Sequence, residues 1–227
     1  MSNIWFPEDL KGEWLRPLDI VASIATLSNV DERNDVLEIG VWKATWTLSI
    51  LKNTLTTRVV GVDPYPGLGK IREEMRTRII NHEAQERFSL YANINDIEIQ
   101  GMRFGLVHVD GEHSEKQTYM DLVESNKLLS LHGAIVVDDV NVDWFPGVSS
   151  AMYKFMQEYD FRMFLMTSSK AYLARKDVAN NFYESLYKSE LLLKYAELYT
   201  SHPFKFYEQD TSVLGQKVLI GKPKKVI

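Results

Sequence analysis

The sequence predicts an α/β fold, namely a doubly wound, Rossmann-like, mostly parallel sheet with helices on both faces. Short runs of Val, Ile and Leu alternate along the chain with longer segments that have helical periodicity. The apolar residues in the short runs are continuous and do not alternate with polar ones, which is typical of strands that are covered on both faces of a parallel sheet. Repeated alternation of such strands with helices implies βαβ units, and therefore this fold class.

Five apolar runs are the predicted strands of this sheet, at residues 36–40, 59–63, 87–91, 104–110 and 134–138. The segments predicted to be helices lie at residues 16–27, 45–52, 68–84, 115–129 and 148–159. Two further runs, 161–166 and 171–174, flank Ser168, Ser169 and Lys170. A polar turn between two apolar runs predicts a hairpin, so we expect an antiparallel pair to close the sheet.

The C-terminal part predicts an extension of this fold. Residues 178–199 are rich in Leu and aromatic positions and predict one extra helix, and residues 213–220 predict a strand. We expect a single domain over residues 1–227, with a core at about 16–176 and an extension over 177–227. A packed terminal helix is favoured over a lid or a dimer arm, and a homo-oligomer stays open.

Composition excludes several classes of function. The net charge of −5 argues against a nucleic-acid partner, which usually needs a basic face. The sequence has no cysteine, so a metal site would use carboxylate, His or carbonyl ligands. The chain begins without a basic segment followed by an apolar run, and no run approaches membrane-spanning length. We expect a cytoplasmic protein with no membrane partner.

Acidic residues stand at the ends of four predicted strands, namely Glu38, Asp63, Asp110 and Asp138. Ligands of open α/β sheets bind beyond the carboxyl ends of the strands. Any single one of these residues is better explained as a helix N-cap or a loop residue. Four of them at corresponding positions favour a ligand site.

The first strand-to-helix turn limits the ligand. It contains Gly40, but Trp42 stands where a dinucleotide fingerprint needs its second glycine, which disfavours NAD and FAD. Asp63 ends the second strand, where a carboxylate accepts hydrogen bonds from ribose hydroxyls. A ligand with a ribose and no diphosphate fits both observations.

Four motifs in order carry a resemblance: Glu-Ile-Gly at 38–40, Gly-Val-Asp-Pro at 61–64, His-Val-Asp-Gly-Glu-His-Ser at 108–114, and Asp-Asp at 138–139 before Trp-Phe-Pro-Gly-Val at 144–148. Over about residues 35–175 the chain resembles class I S-adenosylmethionine-dependent methyltransferases, especially the macrocin-type sugar O-methyltransferases. The resemblance implies methylation of a hydroxyl on a small molecule such as a sugar or catechol. It also implies a set of cofactor-binding residues, namely Glu38, Gly40, Ala44, Thr45, Asp63, Ala92, Asn93 and Asp110.

A metal site is expected where Asp110, Asp138 and Asp139 meet. Three close carboxylates repel one another unless a cation or protons neutralise them, and an all-oxygen set suits Mg²⁺ or a similar divalent ion. The resemblance assigns a metal to the same positions, although one of the aspartates could instead cap the following segment. Asp110 and His113 are the candidate catalytic residues, with His113 as the base. His108, inside its strand, is expected to be a hydrogen-bonded core residue.

Two alternatives stay open at this point. An acidic pair after a strand also suits a metal-dependent nucleotide-sugar glycosyltransferase, although Asp110 is unnecessary there. Trp46, where the resembling family often has a small residue, would crowd the cofactor if it faced the site. In that case the chain would be a non-catalytic S-adenosylmethionine-binding module or scaffold.

Overall fold

A computed structural model describes residues 4–7, 15–30, 35–65, 67–99, 101–200 and 211–224. The helices are α1 Pro17–Leu27, α2 Thr45–Asn53, α3 Gly69–Asn81, α4 Asn95–Ile99, α5 Glu115–Leu128, α6 Pro146–Glu158, α7 Lys176–Tyr187 and α8 Glu190–Tyr195. The strands are β1 Val36–Ile39, β2 Val59–Val62, β3 Phe88–Tyr91, β4 Phe104–Val109, β5 Leu129–Val137, β6 Phe161–Met166, β7 Ala171–Arg175, β8 Ala196–Tyr199, β9 Ser212–Val213, β10 Gln216–Lys217 and β11 Leu219–Pro223. A short 3-10 helix precedes β3.

The main sheet confirms the predicted fold class. Within the described residues its strand order is β3-β2-β1-β4-β5-β7-β6-β11-β8. The strands from β3 to β5 pair in parallel, and β7 pairs antiparallel with both β5 and β6, as the hairpin prediction requires. The order reverses between β1 and β4, and this switch point is where open α/β sheets bind their ligands.

Both faces of the sheet are covered, which explains the continuous apolar strands. Every residue of β1, β2 and β4 is buried. One apolar cluster includes residues of α1, α2 and α7, and the other includes residues of α5 and α6. Helix α1 is buried from Leu18 to Leu27, whereas the described side chains of α3 are mostly exposed.

The C-terminal part differs from the prediction. The single helix expected over 178–199 is wrong, because α7 ends at Tyr187, α8 ends at Tyr195 and β8 follows. The Ser189 side chain accepts a hydrogen bond from Leu192 N at 3.3 Å and starts a new helix. Such a cap offers the backbone an alternative to helix continuation.

The strand expected over 213–220 is divided into three. Strands β9 and β10 form a small hairpin around Leu214 and Gly215, both of which have positive φ. Strand β11 then joins the main sheet between β6 and β8. Across the described part of the chain, no helix has the length and apolar character needed to cross a membrane.

Candidate active site at the carboxyl ends of the central strands

The sheet ladder continues one residue beyond the central strands and brings four residues to one edge. Gly40 N donates to Val62 O at 2.9 Å, and Asp63 N donates to Tyr91 O at 3.0 Å. In the same way Asp110 N bonds to Ile39 O at 2.8 Å and Asp138 N to Val109 O at 3.0 Å. Gly40, Asp63, Asp110 and Asp138 therefore share the edge that the sequence predicted for a ligand.

The first turn needs glycine at position 40. Gly40 has a φ of +85°, and a Cβ added to it would lie 1.9 Å from the carbonyl oxygen of Asp110. Any side chain would therefore force β1 and β4 apart at their ends. Trp42 and Ala44 also have positive φ, so the turn is tightly wound before α2 begins.

Asp63 holds this turn against the end of β2. Its Oδ2 accepts hydrogen bonds from Val41 N and Trp42 N, each at 3.1 Å, and its Oδ1 accepts one from Tyr65 N at 2.8 Å. Tyr65 in turn donates its hydroxyl to Trp42 O at 2.6 Å. Backbone groups therefore occupy three of about four acceptor positions of the carboxylate.

Three residues predicted to bind the cofactor lie beneath the edge instead of on it. Glu38 is 2% exposed, Ala44 is 0% exposed and Thr45 is 6% exposed. Arg78 Nη1 donates to Thr45 Oγ1 at 3.0 Å. By contrast, Ala92 and Asn93 are exposed after β3, where Asn93 Oδ1 accepts from Asn95 N at 3.0 Å.

A buried polar chain runs from β1 across β4 to the start of β7. Glu38 accepts a hydrogen bond from Thr47 Oγ1, and its Oε1 lies 3.3 Å from His108 Nδ1. On the far side of the ring, His108 Nε2 lies 2.9 Å from Lys170 Nζ, which also pairs with Asp138 Oδ2. His108 is 0% exposed and Lys170 is 1% exposed, so this chain is internal and His108 is the hydrogen-bonded core residue expected.

Burial and the lysine set the charges along this chain. Burial lowers the pKa of His108, and the Lys170 ammonium lowers it further, so the ring is neutral. Burial alone would raise the pKa of Asp138, but Lys170 outweighs that effect and the pKa is lowered. The pKa of Glu38 is raised well above its usual range by burial, although the Thr47 hydroxyl opposes the shift.

Sheet register explains why Lys170 meets Asp138. Ala171 pairs with Val137 across the antiparallel strands β7 and β5. The residue before Ala171 therefore stands beside the residue after Val137. Sequence reasoning treated Lys170 only as part of a turn, yet the predicted hairpin and the acidic strand end together contained this signal.

Asp139 turns away from Asp138 and meets His113. Asp139 has a φ of 55°, which sends the chain in a new direction after β5. His113 Nε2 lies 3.0 Å from Asp139 Oδ2 and 3.6 Å from Asp110 Oδ1. The ring of His113 stacks on Phe145 with centroids 4.2 Å apart. These side chains are partly open, at 33% exposure for Asp110 and His113 and 18% for Asp139.

The carboxylates keep His113 protonated at neutral pH. Contacts with Asp110 and Asp139 raise the pKa of His113 to about 10, and burial opposes the shift. Burial, together with the charge of Asp138, raises the pKa of Asp110 to about 7. The predicted carboxylate cluster therefore forms, but it contains two cationic side chains of the protein. Lys170 pairs with Asp138, and His113 lies beside Asp110 and Asp139.

Among the described residues, two groups of side chains are close enough together to hold a metal ion. One is His108, Asp110 and Asp138, and the other is Asp110, His113 and Asp139; in each the ligand atoms lie within 4.8 Å of one another. Nε2 of His113 is buried and has no hydrogen-bond partner of acceptable geometry among the described residues. The two carboxylates of the second group suit a divalent ion, and a cation bound between them would favour loss of the proton from His113 Nε2.

Comparison with known proteins decides the class. Residues 37–140 match a protein family described as a methyltransferase domain. We therefore describe this segment as a methyltransferase domain. It contains every residue predicted to bind the cofactor or metal, and its class contradicts the glycosyltransferase alternative.

Solved structures share the fold of this methyltransferase. The TDP-rhamnose 3'-O-methyltransferase CalS11 of calicheamicin biosynthesis is 17% identical, with a TM-score of 0.55, over 69% of this chain and 76% of its own. An O-methyltransferase from Bacillus cereus in complex with SAH is 14% identical, with a TM-score of 0.54, over 70% and 80% of the two chains. TomG of Streptomyces achromogenes, in complex with SAM, is 14% identical, with a TM-score of 0.52, over 71% and 79%. No curated protein matches the sequence.

Trp46 is part of the methyltransferase core. Its side chain is 4% exposed and stacks on His108 with centroids 4.2 Å apart and an interplanar angle of 15°. Its indole Nε1 donates to Ser23 Oγ at 3.3 Å. The concern that Trp46 crowds the cofactor, which was the only support for a non-catalytic module, therefore has no basis in the structure.

Proposed function

We propose that this methyltransferase transfers the methyl group of S-adenosylmethionine to a hydroxyl oxygen of a small molecule, with help from a divalent cation. The observation that carries the proposal is the open group of Asp110, His113 and Asp139 at the switch point of the sheet. It combines a nitrogen that can take a proton with two carboxylates that can hold a cation. Activation of a hydroxyl needs a general base and a bound cation of this kind.

The cofactor would lie across the ends of β1, β2 and β3. In the proposal the Gly40 turn faces its methionine part, Asp63 its ribose, and Ala92 and Asn93 its adenine. The ribose hydroxyls would compete with the amides of Val41 and Trp42 for Asp63 Oδ2. Glu38, Ala44 and Thr45 would support the turn from below, because all three are buried.

The reaction needs alignment more than covalent chemistry. The sulfonium methyl is already electrophilic, so the protein has to hold a nucleophilic oxygen in line with it and remove a proton. His113 would take that proton at Nε2 once Asp110 and Asp139 are engaged by a cation and no longer hold the ring protonated. A divalent ion bound there would lower the pKa of the substrate hydroxyl.

The acceptor is proposed to carry vicinal hydroxyls, as sugars and catechols do. Asp110 and Asp139 would hold the divalent ion (Mg²⁺ or a similar ion), and two adjacent hydroxyls suit the coordination positions left open. Phe145 stacks on the ring of His113, and its neighbour in sequence, Trp144, is 73% exposed. The name of CalS11, a TDP-rhamnose 3'-O-methyltransferase, supports a sugar acceptor.

Calorimetry with S-adenosylmethionine tests the cofactor site directly. Asp63→Ala should weaken binding by about 1–3 kcal/mol, as expected for the loss of hydrogen bonds to a charged group. Asp177→Ala is the matched control, since Asp177 is an exposed aspartate in α7. Equal affinities of wild type and Asp63→Ala would remove Asp63 from the site, and absence of binding to the wild type would contradict the proposed function.

A further inference from the structure

We propose that Lys170 is a built-in cation that takes the place of a divalent ion among His108, Asp110 and Asp138. Any divalent ion is thereby directed to the neighbouring group of Asp110, His113 and Asp139. The inference deepens the proposed function, since it concerns the ion of that same site. Lys170 lies outside residues 37–140, so the ammonium comes from a part of the chain that the family match does not cover.

The ammonium stands where an ion would bind in the first group. Lys170 Nζ contacts Asp138 Oδ2 and lies 2.9 Å from His108 Nε2, and these atoms belong to two of the three potential ligands. The other oxygen of Asp138, Oδ1, accepts a hydrogen bond from Asp139 N at 2.8 Å. Both oxygens of Asp138 are therefore engaged by donors of the protein itself.

Charge balance explains what the lysine replaces. Ligand atoms of Asp110 and Asp138 lie within 4.8 Å of each other beside the buried ring of His108. Clustered carboxylates need a nearby positive charge or must protonate. A fixed ammonium supplies that charge permanently and cannot be removed by a chelator.

Stability alone gives a weak reason for such an arrangement. A buried ion pair often stabilises a protein no more than an apolar pair of the same volume, because both charges lose their hydration. Lys170 lies in the turn between β6 and β7 and is 1% exposed, so burial of its long side chain costs rotamer entropy as well as hydration. The buried position of Lys170 is explained if its charge holds Asp138 and leaves the adjacent Asp139 to interact with His113.

Mn²⁺ binding to the purified full chain tests the inference, with electron paramagnetic resonance as the readout. Lys170→Met removes the charge and keeps the length of the side chain. We expect it to bind Mn²⁺ at least about tenfold more tightly than the wild type, a change typical of altered surroundings of a metal site. The double variant Lys170→Met with Asp138→Asn should lose this gain, because the new ligand is then absent.

Several results separate the inference from the proposed function. Wild type without any Mn²⁺ affinity would contradict the ion of the proposed function, yet a gain in Lys170→Met would still support the built-in cation. Unchanged or weaker Mn²⁺ binding by a folded Lys170→Met protein would overturn the inference. Lys170→Gln, which keeps a polar group, is expected to show the same gain if Lys170→Met folds poorly, and its failure to do so would count against the inference equally.

Discussion

Two groups of charged side chains lie side by side at the carboxyl ends of β4 and β5, and they differ in exposure and in how their charges are balanced. The closed group, which consists of Glu38, His108, Lys170 and Asp138, is largely buried and carries its own cation. The open group, which consists of Asp110, His113 and Asp139, is partly exposed and has an unsatisfied buried nitrogen.

This difference teaches that acidic residues at strand ends are not interchangeable. Asp138 and Asp139 are neighbours in sequence, yet one pairs with a buried lysine and the other with a half-open histidine. The positive φ of Asp139 separates them. In the proposal, the closed group fixes the geometry of the strand ends and the open group is available for chemistry.

The largest expected effect concerns the open group. His113→Gln should lower the methylation rate by about 10²–10⁴-fold, because it removes the proposed proton acceptor. S-adenosylmethionine affinity should stay near that of the wild type. Single-turnover assays with labelled cofactor measure the rate, and His132→Gln serves as the control. Wild-type turnover by His113→Gln would leave His113 with a structural role only.

Substitutions in the closed group should change the free energy of unfolding. Lys170→Met leaves Asp138 without its buried counterion and should lower the free energy of unfolding by about 3–5 kcal/mol. The double variant Lys170→Met with Asp138→Asn should recover most of this loss, because no uncompensated charge remains. Urea unfolding of the three proteins in chelator measures both values. A loss under about 1 kcal/mol for the single variant would show that the pair is not buried as described.

A smaller effect is expected from pH. The pKa of His113 is raised from its ordinary 6.5 to about 10 by Asp110 and Asp139. The folded state therefore binds more protons than the unfolded state between these values, and this contribution to stability is present below about pH 6.5 and declines as pH rises toward 10. Melting temperatures in chelator should fall more from pH 7 to 9.5 for the wild type than for His113→Gln. Parallel curves would contradict the open group as described.

Much of the fold could be predicted from the sequence, because buried parallel strands leave an unambiguous apolar pattern. Strands β1 to β4 and helices α2, α3 and α5 lie at the expected segments, whereas α4 was not predicted and β5 begins at Leu129, before the predicted 134–138. The C-terminal part could not be predicted in the same way. Its helix is interrupted by the Ser189 cap, and β8 and β11 are defined by pairing with each other at the sheet edge.

The candidate site likewise has a part that the sequence predicted and a part that depends on tertiary structure. The motif around Asp110 and His113 pointed to the switch point, where topology brings the strand ends together. The separate orientations of Asp138 and Asp139 depend on one backbone angle and on a lysine that arrives through antiparallel register. The backbone angle and the position of the lysine cannot be inferred from the acidic pair alone. For this reason the sequence predicted one site with three carboxylates and not two separate groups.

Comparison of Asp138→Asn with Asp139→Asn in Mn²⁺ titrations tests the central claim most directly. The two changes are chemically identical and lie one residue apart, so they differ only in which group they alter. The account predicts that Asp139→Asn weakens Mn²⁺ binding by at least about tenfold, whereas Asp138→Asn changes it by less than about threefold. Loss of Mn²⁺ binding in Asp138→Asn with normal binding in Asp139→Asn would contradict the division into a closed and an open group.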